Sequence, residues 1–364
     1  MVLKVLNVAG ARPNFMKIAP IMREMQKRAS FFKPILVHTG QHYDFGLNEV
    51  FFAQLGIRKP DHFLGVGSAS HAVQTANIMT GFEKVLLEEK PDLVLVVGDV
   101  NSTLACALVS AKEHYPVAHV EAGLRSGDWR MPEEVNRVLT DRISKFLFTT
   151  SQDASENLKN EGIAEGIYFT GNTMIDSLKT FEKQAGKTGS EKKLGLEKGG
   201  YALVTMHRAE NVDDGKTLAK VAEIVLTAAS FSQVVFPVHP RTRERLEKSG
   251  LKQKLESKGV KLVEPLGYLE FLNLEAKAKF VLTDSGGVQE ETTVLGVPCF
   301  TARRNTERPI TVSEGTNTIV DLDSVLLKRE LEKLYSGEGK KGKIPEKWDG
   351  KAAQRICDAL EKGF

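Results

Sequence analysis

Cysteine is scarce in this chain, and neither sign of charge is in excess. Three cysteines occur in 364 residues, at Cys106, Cys299 and Cys357, and they lie far apart in apolar surroundings. This spacing argues against a disulfide framework and a zinc knuckle, and it fits a reducing compartment. The formal net charge is only +3, so the bulk electrostatics gives no reason to expect nucleic acid or an anionic membrane as a partner.

Long apolar segments are also missing. No apolar stretch is long enough to span a bilayer. The apolar start of the chain includes Lys4 and Asn7 and leads into Gly10-Ala11-Arg12, which is unlike a signal peptide. We therefore expect a soluble, cytoplasmic protein that does not associate with membranes.

Motifs for several cofactors are missing as well. No Gly-x-Gly-x-x-Gly follows a predicted strand, so we expect no tightly bound nicotinamide or flavin. Gly186-Lys187-Thr188 resembles the end of a P-loop, but Phe181 occupies the place of the first glycine, and we interpret the segment as a linker. His38 and His42 have a metal-like spacing without a third ligand in reach, so no metal is predicted.

What the sequence does contain is an alternation of short β-rich runs with longer amphipathic runs, which is typical of βαβ units. The predicted strands of the first half are residues 2–9, 35–38, 93–98, 117–120 and 146–150. After a lysine- and glycine-rich stretch, strands are predicted again at residues 202–206, 234–238, 261–264, 280–283 and 298–301. This pattern predicts two doubly wound, Rossmann-like parallel-sheet domains with an interdomain cleft.

The predicted domains are residues 1–171 and 172–347. The tail, residues 348–364, is interpreted as an amphipathic helix that packs back on the first domain. Charged stretches near residues 183–198 and 328–343 are interpreted as solvated faces or linkers.

A strand predicted to be buried turns through small residues into a helix at Thr283-Asp284-Ser285-Gly286-Gly287. Gly286 and Gly287 let the backbone approach a ligand, and the free N–H groups of a helix start attract an anion. Glu291, one turn later, faces the same side and can accept hydrogen bonds from ribose hydroxyls. These features favour a nucleotide diphosphate site, although on spacing alone an ordinary strand-to-helix turn explains them equally well.

Cations and acids follow the strands of the first half. Arg12 and Lys17 come after the first strand and are suited to a departing diphosphate, or they simply mark a solvent-facing helix start. Asp99 and Glu121 end two further strands, and Glu133 begins the helix after Pro132. These three acids are expected to converge on one rim, while Asp99 and Glu121 could instead cap helices.

Histidine recurs at strand ends in the second half. His207 and His239 each precede an arginine at a predicted ligand edge, and Arg308 lies near the same edge. Contact with phosphate or sugar is favoured over the alternative, a buried core histidine.

A set of motifs spans nearly the whole chain in order: Gly10-Ala11-Arg12-Pro13 with Lys17, Gly98-Asp99, His119-Val120-Glu121-Ala122-Gly123-Leu124-Arg125, Pro132-Glu133-Glu134-Val135-Asn136-Arg137, Met206-His207-Arg208, Asp284-Ser285-Gly286-Gly287 and Glu307-Arg308-Pro309. Together they resemble the non-hydrolysing UDP-N-acetylglucosamine 2-epimerases. The resemblance implies the two-Rossmann-domain architecture called GT-B, with the nucleotide on the second domain and the sugar in the cleft. It also implies a homodimer.

The resemblance further implies cofactor-free, reversible epimerisation at carbon two of UDP-N-acetylglucosamine, giving UDP-N-acetylmannosamine through elimination and re-addition of UDP. Such a product would supply activated sugars for cell-surface polysaccharide or glycan synthesis. The reaction needs two proton-transfer groups and stabilisation of the departing diphosphate.

By the same resemblance, each candidate site residue takes a role. The catalytic residues are Asp99, Glu121, Glu133, His207 and Lys17, and the substrate-binding residues are Arg12, Arg137, His239, Phe271, Ser285, Gly286, Gly287, Glu291 and Arg308. Arg12, Lys17, His207 and the helix start at Ser285-Gly286 would hold the diphosphate, and Glu291 the ribose. Phe271 and Arg308 would frame the uridine and His239 would line the nucleotide pocket, while the carboxylate that takes the first proton is left open.

Two departures from the family pattern bear on the substrate. Where the family usually has Gly-Thr-Arg-Pro-Glu, this chain has Ala11 and Asn14, as do relatives that act on more heavily modified UDP-sugars. A Gln-His-Arg-Glu-Met segment that helps bind an activating substrate molecule in bacterial members reads Gln41-His42-Tyr43-Asp44-Phe45 here.

Three other functions compete with this interpretation. A GT-B glycosyltransferase shares the nucleotide site but needs an acceptor and has no use for three carboxylates. A hydrolysing epimerase would release free UDP. A sugar-nucleotide-sensing protein would bind without turnover.

Overall fold

The first sheet is parallel throughout. The computed structural model of the protein describes residues 2–41 and 56–364. Within them, the first sheet consists of β1 (Leu3–Ala9), β2 (Phe32–His38), β3 (His62–Phe63), β4 (Leu93–Val97), β5 (Val117–Ala122), β6 (Phe146–Thr149) and β7 (Ile167–Phe169). Their order is β3-β2-β1-β4-β5-β6-β7, and every neighbouring pair is parallel.

The second sheet repeats this topology. Its strands are β8 (Tyr201–Thr205), β9 (Gln233–Pro237), β10 (Lys261–Val263), β11 (Phe280–Thr283), β12 (Cys299–Thr301) and β13 (Asn317–Ile319). The order is β10-β9-β8-β11-β12-β13, again with parallel neighbours. Central strands such as β4 are buried along their whole length, which is expected when helices cover both faces of a parallel sheet.

Helices alternate with the strands. In chain order they are α1 (Arg12–Lys27), α2 (His71–Glu89), α3 (Asn101–Lys112), α4 (Pro132–Ile143), α5 (Gln152–Asn160), α6 (Thr173–Thr188), α7 (Ser190–Lys193), α8 (Ala209–Val212), α9 (Gly215–Ala229), α10 (Pro240–Lys248), α11 (Leu251–Glu256), α12 (Tyr268–Lys277), α13 (Gly286–Leu295), α14 (Pro309–Ser313), α15 (Ser324–Tyr335) and α16 (Ala352–Gly363). Among residues 2–41 and 56–364, no helix is long and apolar enough to cross a bilayer.

The strand order confirms the predicted fold of two Rossmann-like, doubly wound domains. In each sheet the order reverses next to the first strand, between β1 and β4 and between β8 and β11. Ligands of such sheets bind beyond the carboxyl ends of the strands at this switch point. Each domain therefore offers a ligand edge of its own.

The chain divides into two compact units. One comprises Met1–Thr180 with Glu346–Phe364, and the other comprises Phe181–Pro345. The division lies inside α6, nine residues beyond the predicted boundary at Gly171. Helix α16 belongs to the first unit, where Asp358 forms an ion pair with Arg28 of α1 at 2.6 Å.

The interpretation of Gly186-Lys187-Thr188 as a linker is wrong. These residues form the last turn of α6. Leu178, Phe181 and Ala185 of this helix are buried, and their spacing of three and four residues creates an apolar stripe that supports a helix up to its charged end.

Candidate active site

Glu121 stands out at the ligand edge of the first sheet. Its φ of +71° lies in the left-handed region, and the pairing of β5 with β6 shifts register between Val120 and Ala122. Bulges re-aim side chains, and positive φ at a residue other than glycine is concentrated at functional sites. The backbone therefore directs the Glu121 carboxylate differently from the alternating side chains of β5.

Lys17 is the partner of Glu121. It lies in the second turn of α1, and its Nζ forms an ion pair with Glu121 Oε2, with side-chain exposures of 7 % and 2 %. Gly98 makes this approach possible, since a Cβ there would lie 3.1 Å from Lys17 Nζ and 3.6 Å from Glu121 Oε2. The pair therefore rests directly on the backbone that leads from β4 to Asp99.

Arg137 of α4 holds Asp99. Its Nη1 donates to Asp99 Oδ2, and its Nη2 contacts Glu134 at 2.6 Å. Asn136 adds a hydrogen bond from Nδ2 to the Asp99 carbonyl at 2.8 Å. The alternative that Asp99 is the N-cap of α3 is wrong, because Val100 is the N-cap residue and Gln41 Oε1 accepts the N–H of Ser102 in the first turn at 3.0 Å.

Glu134 completes the charge cluster beside Asp99. It accepts hydrogen bonds from the backbone N–H groups of Ser126 and Gly127 at 3.0 and 2.8 Å. Burial disfavours its ionised form, but these hydrogen bonds and Arg137 outweigh burial and lower the pKa of Glu134. Arg137 is thus flanked by two carboxylates.

The other predicted residues of this edge begin helices. Arg12 is the exposed first residue of α1, and Glu133 is the half-buried second residue of α4. Helices α1, α3 and α4 follow β1, β4 and β5, which are neighbours in the sheet. The structure therefore places Arg12, Lys17, Asp99, Glu121, Glu133 and Arg137 at one edge of the first sheet.

In the second unit, α13 starts directly at the ligand edge. Ser285 is its N-cap residue, Gly286 its first residue, and no side chain caps the helix. Its first N–H groups and the positive end of its dipole can therefore receive an anion. A Cβ at Gly286 would lie 2.5 Å from Arg308 Nη1, so only glycine fits above this arginine.

Arg308 is fixed below that helix start by two buried acids. Its Nε lies 2.7 Å from Glu290 Oε1, and its Nη1 pairs with Glu307. Glu307 also contacts Arg303 Nη2 at 2.7 Å. Burial opposes ionisation of Glu307, yet Arg308 and the neighbouring arginines hold the pKa of this carboxyl well below its usual range.

Asp284 positions the loop that carries His207. It is fully buried and accepts hydrogen bonds from the backbone N–H groups of His207 and Arg208 at 3.0 and 2.9 Å. These contacts, with His207 Nδ1 at 3.1 Å, outweigh the effect of burial and lower the pKa of Asp284. The His207 side chain, 48 % exposed, stays open to solvent.

Glu291 is buried one turn along α13. It accepts a hydrogen bond from the Tyr268 hydroxyl at 2.8 Å. Burial and the nearby charge of Glu290 raise the pKa of Glu291 to about 7, against the hydrogen bonds from Tyr268 and Glu275. Burial and Glu291 also raise the pKa of Glu275 well above its usual range.

Phe271 and His239 lie at the starts of two other helices of this unit. Phe271 is half-buried in the first turn of α12 and packs against an apolar cluster that includes Val281 and Val288. His239 is exposed at the N-cap of α10, where its Nδ1 accepts the N–H of Arg241 at 3.3 Å. Desolvation, then His207 and Arg241, lower the pKa of His239.

Residues 23–361 match the sequence profile of the family described as UDP-N-acetylglucosamine 2-epimerase. The chain belongs to this family. A UDP-N-acetylglucosamine 2-epimerase homolog of Methanococcus maripaludis is 49 % identical over 87 % of this chain and 88 % of its own. The crystal structure of Methanocaldococcus jannaschii UDP-GlcNAc 2-epimerase in complex with UDP-GlcNAc and UDP matches with a TM-score of 0.91 and 42 % identity, over 99 % of this chain and all of that one.

A third relative acts on a different sugar. The UDP-2,3-diacetamido-2,3-dideoxy-D-glucuronate 2-epimerase of Pseudomonas aeruginosa is 41 % identical over 99 % of this chain and 100 % of its own. Together, these matches confirm the family predicted from the motifs and the enzyme class, an isomerase of the 2-epimerase type.

One histidine and one segment discussed in the sequence analysis lie outside the described residues. His42 and the segment Tyr43-Asp44-Phe45, on which the comparison with the substrate-activation segment rests, are not among residues 2–41 and 56–364. Within those ranges, no group of three or more histidine, cysteine or acidic side chains could hold a metal ion.

Sequence reasoning gave no role to several residues that support the site of this epimerase. Asp284 and Glu307 belong to recognised motifs, but nothing in the local sequence indicates that their side chains are buried. Asp141 of α4 belongs to no motif, although it is buried and ion-paired with His119 at 2.6 Å. Only the folded chain shows which distant groups these acids contact.

Proposed function

We propose that the protein reversibly converts UDP-N-acetylglucosamine to UDP-N-acetylmannosamine by eliminating UDP and adding it back through a glycal intermediate. One observation carries the proposal. Two carboxylates at the ligand edge of the first sheet, Asp99 and Glu121, are each paired with a buried cation, Arg137 and Lys17. Such paired acids suit a reaction that moves one proton off carbon two and another one on.

The chemistry accounts for the need for both acids. Carbon two has no neighbouring carbonyl, so its proton is not acidic in the ground state. When the bond from carbon one to the UDP oxygen breaks, the electron pair leaves with UDP and positive charge develops at carbon one. Loss of the carbon-two proton to a carboxylate then gives the glycal. Re-addition of UDP to carbon one, with a proton delivered to the opposite face of carbon two, balances the reaction without a co-reactant.

In this proposal Asp99 and Glu121 share the two proton transfers. Each is held in place by a cation, Arg137 beside Asp99 and Lys17 beside Glu121. Glu133, half-buried at the start of α4, stabilises the positive charge at the sugar. The order in which Asp99 and Glu121 act is left open.

The departing diphosphate is assigned to the helix start at Ser285-Gly286, with Arg12, Lys17 and His207. The N–H groups and dipole of α13 support this assignment, since developing negative charge is stabilised by preorganised donors. Glu291 is assigned to the ribose, Phe271 and Arg308 to the uridine, and His239 to the lining of the nucleotide pocket. A Cβ at Gly286 would lie 2.5 Å from Arg308 Nη1, so this arginine lies close to the helix start.

Proton NMR of the purified protein with UDP-N-acetylglucosamine in deuterated water tests the proposal. The expected result is UDP-N-acetylmannosamine that carries deuterium at carbon two, formed without added cofactor. Epimerised product that retains its original proton would contradict the mechanism. Accumulation of free UDP and free N-acetylmannosamine would indicate a hydrolysing epimerase instead.

A modified UDP-2-acetamido sugar is the second candidate substrate. Asn14 stands where the usual family pattern has glutamate. Its Oδ1 accepts the N–H groups of Gly10 and Ala11 at 3.1 and 2.9 Å, and its Nδ2 donates to the Val97 carbonyl at 3.1 Å. A glutamate could not donate that last hydrogen bond to the Val97 carbonyl. Comparing kcat/KM for UDP-N-acetylglucosamine and the diacetamido uronate decides between them.

Two further parts of the proposal rest on the family resemblance. The product would supply activated sugars for cell-surface polysaccharide or glycan synthesis, and the enzyme would act as a homodimer. Sedimentation equilibrium tests the dimer. Loss of N-acetylmannosamine-type sugars from the cell-surface glycans of a deletion strain tests the role of the product.

A further inference from the structure

A buried histidine connects the two acid-bearing turns of the first unit. His119 of β5 is fully buried. Its Nδ1 lies 2.6 Å from Asp141 Oδ1, and its Nε2 lies 2.8 Å from the carbonyl oxygen of Gly98. Gly98 is the residue before Asp99 and, as shown above, it lies against the Lys17–Glu121 pair. His119 therefore contacts the backbone on which both candidate acids depend.

The hydrogen-bond partners of His119 define its charge. An ionised carboxylate and a peptide carbonyl can only accept, so both ring nitrogens must donate. Only the imidazolium form has two N–H groups. Asp141 supplies the compensating negative charge at a site where an isolated cation would be strongly disfavoured.

The second oxygen of Asp141 reaches the other turn. Asp141 Oδ2 accepts the backbone N–H of Gly123 at 3.0 Å and contacts Arg125 Nη1 at 2.7 Å. Burial opposes ionisation of Asp141, but His119 and Arg125 outweigh burial and lower its pKa. Gly123 is two residues after Glu121, and Gly98, which His119 contacts, is the residue before Asp99. Asp141 is therefore connected to the backbone beside each of the two acids.

Helix α4 adds a third connection. Asp141 lies one turn after Arg137, which pairs with Asp99, and Asn136 donates to the Asp99 carbonyl. The helix that carries Glu133 is therefore tied to β4 through Asp99 and to β5 through His119 and Gly123.

We infer that Asp141 is a positioning residue: through His119 and Gly123 it sets the geometry of the turns that carry Asp99 and Glu121. The inference rests on the proposed function of these two acids. An apolar pair at positions 119 and 141 would fill the space equally well, but it would leave the Gly98 carbonyl and the Gly123 N–H without these partners. The network thus fixes orientation as well as packing.

Asp141→Asn tests the inference, with kcat, KM, UDP affinity and melting temperature as readouts. Asparagine has one acceptor oxygen and no charge, so it cannot serve His119, Gly123 and Arg125 together. We expect kcat to fall by about 100-fold, since small misplacements of reacting groups cost that much. KM and the Kd for UDP should change far less than kcat, because the groups assigned to the ribose and the uridine belong to the second unit.

Asp176→Asn is the matched control. Asp176 is a second buried carboxylate of the same unit and accepts two backbone N–H groups, from Ala352 and Ala353, at 3.0 and 2.7 Å. This variant should lose stability and keep the kcat of the wild type per folded molecule. The inference is overturned if Asp141→Asn retains wild-type kcat, or if its kcat falls only in proportion to the unfolded fraction.

A spectroscopic readout separates this inference from the proposed function. Nitrogen-15 NMR of the wild type should show both ring nitrogens of His119 protonated at neutral pH, and only one in Asp141→Asn. A neutral ring in the wild type would overturn the inference whatever the activity, whereas a wild type inactive on both UDP-sugars would count against the proposed function. If Asp141→Asn does not fold, His119→Gln decides by the same kcat and UDP readouts.

Discussion

Burial disfavours the ionised form of a carboxyl group, yet several side chains at the two ligand edges are nearly inaccessible acids. Glu121 and Glu134 are each paired with a buried cation, Lys17 or Arg137. Asp284 instead relies on the His207 side chain and on backbone N–H donors. At the scale of single residues, the chemistry of this protein therefore depends on which partner each acid has, because burial alone would neutralise it.

Neutral replacements of the two paired acids should separate catalysis from binding. In Asp99→Asn and Glu121→Gln we expect kcat to fall by about 10²- to 10⁴-fold, the usual contribution of general acid–base catalysis. Affinity for UDP should be retained, which titration calorimetry measures. Glu244→Gln is the control, since Glu244 pairs with Lys248 at the exposed surface of the second unit. Normal turnover in both acid variants would contradict their assignment.

Glu291 should make stability depend on pH. Burial raises its pKa from 4.5 to about 7 in the folded protein, so the folded state keeps a proton that the unfolded chain releases. Stability should therefore fall as pH rises through this interval, by about 1.4 kcal/mol for each unit of pKa difference, and level off above it. Urea unfolding at several pH values measures the effect. Glu291→Gln should lack this part of the slope, and an identical slope in both proteins would contradict it.

At the scale of elements, the start of α13 combines an open helix terminus with a rigid support. The N–H groups beyond Ser285 have no side-chain cap, and the guanidinium of Arg308 lies directly beneath Gly286. Glu290 and Glu307 hold that guanidinium through ion pairs. The helix start is thus preorganised for an anion and has no room for a side chain at its first position.

Gly286→Ala should therefore damage both stability and nucleotide binding. Its Cβ would meet Arg308 Nη1 at 2.5 Å, and overpacking of this kind costs about 1–3 kcal/mol. We expect weaker UDP binding in calorimetry. Gly215→Ala is the control, because Gly215 begins α9 with no atom near its Cβ position, and this change should be neutral or slightly stabilising. Equal UDP affinity in both variants would contradict the role of the helix start.

The elements show what sequence could predict. Continuous apolar runs predicted β11 with the bounds that the structure shows, Phe280–Thr283. They placed the end of β4 one residue too late. Strands β3, β7 and β13, with two or three residues each, were not predicted, whereas the equally short β10 and β12 were. Segments this short carry no periodicity, and pairing with a neighbouring strand is what forms them.

The site divides in the same way. Residues at strand ends could be located because a doubly wound sheet places its ligands there. The residues that hold them in place could not be located from the sequence. Asp141 contacts His119, which is 22 residues away in the chain, and Asp284 contacts His207, which is 77 residues away. Such pairings depend on the packing of a helix or strand against a distant neighbour, which local pattern does not encode.

At the scale of the whole molecule, each unit has a core of its own. Ala202, Val225 and Phe280 lie in a core cluster of the second unit, whereas Val37, Phe82 and Val94 lie in one of the first. The last residues of the chain return to the first unit, where Trp348 is 1 % exposed and donates from Nε1 to the Thr150 carbonyl at 2.9 Å. The C-terminal segment is therefore packed into the first unit and helps to stabilise it.

Trp348→Ala should destabilise the first unit selectively. Loss of a buried tryptophan costs about 3–5 kcal/mol, and hydrogen exchange should accelerate in Met1–Thr180 and Glu346–Phe364. Trp129→Ala is the control, because Trp129 belongs to the same unit and is 64 % exposed. Faster exchange confined to Phe181–Pro345 would contradict the assignment of this segment.

The central claim is that epimerisation proceeds through cleavage of the bond between carbon one and the UDP oxygen. It is tested most directly with UDP-N-acetylglucosamine that carries oxygen-18 in the bridge between carbon one and the β-phosphorus, followed by phosphorus NMR. The label is expected to move from the bridge to the non-bridging β-phosphate oxygens as fast as epimerisation or faster, because the freed phosphate can rotate. Epimerised product with all of its label still in the bridge would contradict cleavage of this bond.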